Sequence, residues 1–148
     1  MHRALVLTLL LLAPALAGCG SSDTGRSFRS RAEAACQDMK RSGALRSGRK
    51  PSDADIRALA RSWQRSIARL SRLQPPRTQA KDFQTMVDGL RDAAKALDLL
   101  GRLHDENVLA AVAAIGVAGD RATRAARRLD LAGCIFFPQL PPKLRPGG

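Results

Sequence analysis

Between positions 52 and 73 the apolar residues Ile56, Leu59, Ala60, Trp63, Ile67, Leu70 and Leu73 recur at intervals of three and four, the repeat of a helix lying on a core. At roughly 100° per residue, the first six fall within an arc of about 100°, and Arg57, Arg61, Arg65, Arg69 and Arg72 fall within about 120° on the other side. Ser52, with Asp55 three residues on, predicts a capping box at the start of this segment. Gln74-Pro75-Pro76 ends it, because the residue before a proline avoids helical angles.

The same period recurs three more times. Residues 27–42 carry Phe28, Ala32, Ala35, Cys36 and Met39, and Gly43 breaks the pattern. A segment over about 77–103 carries Phe83, Met86, Val87, Leu90, Ala94, Leu97 and Leu100, with charges of alternating sign on its other face. The last segment starts near Asp105, carries Val108, Val112, Ile115, Gly119, Ala122, Ala126 and Leu129, and is expected to stop at Gly133 as a C′ residue. Its small residues permit a close approach to neighbouring helices. No alternating run reads as a strand. Four helices joined by short turns predict an all-α fold, an up-down-up-down four-helix bundle over 27–137.

Composition narrows the function. The chain has 148 residues and a formal charge of +12, with 45% hydrophobic and 3% aromatic residues. It is too short for an α/β barrel or a two-domain dehydrogenase, and too apolar for a wholly disordered chain. Arginine outnumbers lysine 20 to 5, a bias that a GC-rich genome produces before any function does.

The first residues read as an export signal. Met1, His2 and Arg3 form a basic start, and residues 4–15 are an apolar run. That run is too short to cross a hydrocarbon core of ~30 Å as a helix but suits a signal peptide. Leu16-Ala17-Gly18-Cys19 follows it and resembles the lipobox of bacterial lipoproteins at all four positions. The resemblance implies diacylglyceryl transfer to the Cys19 thiol and cleavage after Gly18. Residues 1–18 are then the signal peptide, 19–26 a flexible tether, and 138–148 an extended tail with four prolines. The mature chain keeps a charge of +11 once Arg3 is removed. The resulting location is the extracytoplasmic face of a cell membrane, with attachment through lipid.

With Cys19 assigned to lipid, Cys36 and Cys134 remain, and export puts them where disulfides persist. Pairing closes a loop around nearly the whole domain; two buried free thiols and a metal site are the alternatives. In an up-down bundle the start of the first helix and the end of the fourth share an end of the molecule, and a return of the chain after Gly133 brings Cys134 alongside Cys36. Ile135 to Phe137 then cap that end of the core. No CxxC is present, which leaves out thioredoxin-like redox chemistry and c-type haem attachment.

Three patterns together, Phe28-x₃-Ala32-x₃-Cys36, Leu70-x₂-Leu73-x-Pro75-Pro76 and Ala125-Ala126-x₂-Leu129-x-Leu131-x₂-Cys134, resemble small secreted helical proteins and lipoproteins of high-GC, actinobacteria-like bacteria. The resemblance implies a helical bundle bracketed by two cysteines and brings no activity with it. The proline-rich extension after Phe137 departs from that pattern.

The arginine face of the second segment, with Arg26, Arg29, Arg31, Lys40, Arg41, Arg46, Arg49 and Lys50 upstream, is the main candidate surface. Its bland reading is a solvated helix face. Its functional reading is attraction to anionic phospholipid, an envelope polymer or an acidic protein partner. Nucleic acid is not the expected partner, since export separates the chain from it and no aromatic platform for bases is present. His104-Asp105-Glu106 does not form a helix-face cluster, and neither a metal nor another cofactor is expected, a Met39/His104 haem included. Trp63 is a core residue on this reading. The mature chain has one histidine and no GxSxG, HExxH or Walker sequence, so catalysis is not expected. The reading is a non-catalytic interaction or structural module of the cell envelope. Its alternative is a carrier of a small apolar ligand or lipid in a cavity beside the small-residue fourth helix.

Overall fold

The computed structural model describes residues 21–43, 51–102 and 107–136, and every regular element among them is helical. There are four α-helices, α1 (Ser21–Gly43), α2 (Asp53–Leu70), α3 (Ala80–Leu100) and α4 (Val108–Arg128), with a 3₁₀ turn at Arg77–Gln79 between α2 and α3 and another at Ala132–Cys134 after α4. The predicted signal peptide, Cys19, Arg46, Arg49, Lys50, residues 103–106 with His104, and the tail from Phe137 lie outside the described residues.

Helix α1 begins at Ser21, ahead of the expected start at Ser27, so most of the predicted tether is helix. Ser21, Ser22 and Asp23 are residue types that favour a helix start. Helix α2 starts as its sequence predicts. The Ser52 backbone N–H donates to the Asp55 carboxylate at 2.9 Å, and the Asp55 N–H donates to Ser52 Oγ at 3.3 Å. A 3₁₀ turn precedes α3, so the helix begins at Ala80 and not at Arg77.

The end of α4 differs from the sequence expectation. The stop is not Gly133 but Asp130, which adopts φ 55°. The Asp130 N–H donates to Arg127 O at 3.1 Å and the Leu131 N–H to Ala126 O at 2.9 Å. These two bonds make a Schellman motif with an aspartate where glycine is usual. Aspartate tolerates left-handed angles better than most side chains. Gly133 instead lies in the following 3₁₀ turn, against the Glu33 side chain.

Apolar faces of all four helices meet in one core. Phe28, Ala32, Ala35, Cys36 and Met39 of α1, and Ala60, Trp63, Ile67 and Leu70 of α2, are buried. So are Phe83, Met86, Val87, Leu90, Ala93 and Ala94 of α3. Each large side chain removed from water contributes about 1.5–3 kcal/mol. Phe28 meets Phe83 edge-on with ring centroids 5.0 Å apart.

The α4 stripe follows the expected one at Gly119, Ala122, Ala126 and Leu129 but departs from it in the first half of the helix, where Val108 and Ile115 are half-buried. Ala111, Ala118, Ala122, Ala125, Ala126 and Leu129 are buried, while Val112 is 50% exposed. Residues 108–119 are uncharged throughout, so polarity could not choose a face; packing against α3 chose it. Leu109 and Val117 are left outside at 82% and 73% exposure. The expected close approach is present. A Cβ on Gly89 of α3 would lie 2.9 Å from both Ala118 O and Ala122 N of α4.

Cys36 and Cys134 are fully buried with their sulfurs 2.05 Å apart, at disulfide distance. They join α1 to the 3₁₀ turn after α4, and the exposed Arg29–Asp130 pair at 2.7 Å joins the same two parts. Ile135 and Phe136 pack half-buried on the core, with the Phe136 ring 5.3 Å from Trp63 and Lys40 Nζ 5.7 Å above it. Among the described residues no helix is long and apolar enough to cross a membrane.

Candidate functional site

Four arginines of α2, Arg57, Arg61, Arg65 and Arg69, and Arg72 just beyond its end do not share one role. Arg57, in the first turns, is half-buried, and its Nη1 donates to Gly101 O at 2.5 Å. Gly101 caps α3, and a cation at exposed C-terminal carbonyls is stabilised by the helix dipole. Arg69, in the last turn, bridges to Asp38 Oδ2 at 3.0 Å and donates to Ser66 Oγ at 3.1 Å. Arg41 also donates to Asp38. The Asp38 pKa is lowered, chiefly by that hydrogen bond; burial opposes the shift, and the charges of Arg69 and Arg41 add to the lowering. Arg57 and Arg69 therefore hold helices together.

Arg61, Arg65 and Arg72 differ. They are exposed, and no carboxylate lies within ion-pair distance of them among the described residues. Among the described cations upstream of α2, Arg29 pairs with Asp130 and Arg41 with Asp38, while Arg31 donates to Ser27 and Lys40 stands over the Phe136 ring.

Beside Arg72 lies a feature the sequence reading missed. A surface groove of about 530 Å³ runs between the end of α2 and the middle of α3, lined by Gln64, Ile67, Ala68, Ser71, Arg72, Arg91 and Lys95. Ile67 and Ala68 supply apolar surface, and the stems of the three cations extend it. Arg91 is oriented by two contacts, an ion pair with Asp88 and a 3.3 Å hydrogen bond to Ser71 Oγ. The Ser71 hydroxyl in turn donates to Ile67 O at 2.9 Å. Lys95 Nζ stands 4.0 Å from Asp92, whose other oxygen is taken by Arg121. Arg91 and Lys95 are spaced i, i+4 on α3 and so share its face. Their spacing was legible, but their register against Arg72 depends on how the two helices pack.

Among the described residues no group of three or more histidine, cysteine, aspartate or glutamate side chains is placed to hold a metal. Trp63 is in the core, 8% exposed. No protein-family model, curated protein or solved structure matches the chain.

Proposed function

We propose that this chain is a lipoprotein of the cell envelope, anchored through lipid on Cys19, whose folded part is a non-catalytic interaction module for anionic surfaces. The Leu16-Ala17-Gly18-Cys19 sequence behind a basic start and an apolar run supports the anchor. Helix α1 begins two residues beyond Cys19, which would hold the body next to the membrane. The observation that carries the surface reading is the division of the arginines in and just after α2. Arg57 and Arg69 are tied to neighbouring helices, while Arg61, Arg65 and Arg72 keep their charge toward solvent.

The up-down-up-down order belongs to the same proposal. It is supported by Arg57 at the start of α2 meeting Gly101 at the end of α3, and by Asp82 at the start of α3 pairing with Arg128 at the end of α4, 2.7 Å apart. The Asp38–Arg69 bridge joins the later turns of α1 and α2 and would require α1 to cross its neighbour at an angle. A carrier of an apolar ligand is the second reading. Of the small residues that motivated it, Ala122 is taken up in close contact with Gly89, which favours the interaction module.

The test anchors the lipidated protein in neutral phosphatidylcholine vesicles and measures capture of phosphatidylglycerol vesicles. Each basic side chain near an anionic surface is worth about 1 kcal/mol, so Arg61→Glu with Arg65→Glu is expected to reduce capture at least tenfold. Salt of about 0.5 M should have a similar effect, because it shortens the screening length below about 5 Å. Undiminished capture by the double variant would contradict the reading.

A further inference from the structure

The α2–α3 groove has three properties together: an apolar floor, a volume in the range of small-ligand sites, and a local excess of positive charge. Ligand clefts commonly enclose about 300–1,000 Å³, and this one is about 530 Å³. Three cations, Arg72, Arg91 and Lys95, line the groove, and the nearest carboxylates, Asp88 and Asp92, pair with Arg91 and with Lys95 and Arg121 of α4. Asp88 accepts from Arg91 and, at 3.0 Å, from the Gln84 amide, so its charge is directed to its own helix face. Asp92 is shared between Arg121 and Lys95. Of the three cations lining the groove, Arg91 is paired with Asp88, Lys95 has only a share of Asp92, and Arg72 has no ion-pair partner among the described residues.

We infer that the groove binds a phosphate group carried on an apolar body, the chemistry of an anionic phospholipid headgroup with its glycerol. The inference rests on the reading that the protein works at a lipid surface, and it names the molecule that this part of the surface recognises. Arg72 and Lys95 take the phosphate oxygens, and the guanidinium of Arg91, held by Ser71 and Asp88, offers a planar donor edge. The glycerol and the first carbons of the chains lie over Ile67 and Ala68. A carboxylate on an equally apolar body would satisfy fewer of the three donors. A bare phosphate would leave the apolar floor uncovered.

The test uses the mature, lipidated protein in neutral dodecyl maltoside micelles, followed by NMR. It is titrated separately with dihexanoyl-phosphatidylglycerol, inorganic phosphate and uncharged dihexanoylglycerol. Saturable shifts with the phospholipid, confined to Gln64, Ala68, Ser71, Arg72, Arg91 and Lys95, are expected. Inorganic phosphate should bind at least tenfold more weakly. Arg72→Glu with Lys95→Glu should weaken phospholipid binding at least tenfold; both side chains are exposed, and an unchanged melting temperature checks that the fold is intact. Equal binding of inorganic phosphate would overturn the lipid source, and equal binding of dihexanoylglycerol would overturn the role of the phosphate. The absence of saturable shifts would overturn the site itself. Arg61 and Arg65 lie outside the groove lining, so loss of vesicle capture through those residues and loss of headgroup binding through Arg72 and Lys95 are separable results.

Discussion

A Cys36→Ala, Cys134→Ala variant is expected to lose about 4–5 kcal/mol of stability, the amount a chain-entropy model assigns to closing a loop of this size. The two cysteines are 98 residues apart in sequence, so the cross-link restricts almost all of the unfolded domain. Small domains have total stabilities of about 5–15 kcal/mol, which makes this one contact a large fraction. In the native state the pair also fixes the 3₁₀ turn after α4 to α1, and the ion pair that joins α1 to the end of α4, Arg29–Asp130, is solvent-exposed. An exposed ion pair of this kind contributes at most about 1 kcal/mol. Thermal unfolding of the variant should move down by roughly 10–25 °C. A shift of only a few degrees would mean that the apolar face of α1 and its ion pairs hold it without the cross-link.

Two glycines in helix interiors should respond to alanine with opposite sign. At Gly89 the new methyl would meet backbone atoms of α4, which cannot rotate away. Overpacking of this kind costs up to about 3 kcal/mol, offset by about 1 kcal/mol of helix propensity, for a net loss of about 2 kcal/mol. At Gly116, in α4, nothing lies within 4 Å of the added Cβ. There the propensity term acts alone, and Gly116→Ala should gain up to about 1 kcal/mol. Urea unfolding of both variants measures the difference. A destabilised Gly116→Ala, or a neutral Gly89→Ala, would show that α3 and α4 do not approach as described.

Helix type and core membership were legible where polar and apolar residues alternate at helical spacing. Every apolar position predicted for α1 is buried, and the core of α2 and most of α3 follow the same rule. The capping box at Ser52 was legible because both partners are local in sequence. Legibility failed where the local signal was degenerate or the deciding contact was distant. The uncharged first half of α4 offers several equivalent faces, and the choice among them is made by packing on α3, with Gly89 against Ala118 and Ala122. The stop at Asp130 was hidden because aspartate is a less common left-handed residue than glycine, and Gly133 supplied a more familiar alternative. At the candidate site, the arginine face was legible as a stripe, but its division was not. Arg57 and Arg69 differ from Arg61 and Arg65 only through Gly101 and Asp38, which belong to other helices. The groove needed the pairing of α2 with α3 before Arg91 and Lys95 could be placed beside Arg72.

The proposal as a whole depends most directly on the chemical state of Cys19. Mass spectrometry of the full chain, expressed in a lipoprotein-processing bacterium and recovered from its membranes, reads that state in one measurement. The proposal predicts a mature chain whose first residue is Cys19, carrying diacylglycerol in thioether linkage, and the failure of Cys19→Ala to be processed after Gly18. An unmodified Cys19 thiol on the membrane-recovered protein, or a Cys19→Ala chain cleaved and retained as before, would contradict it.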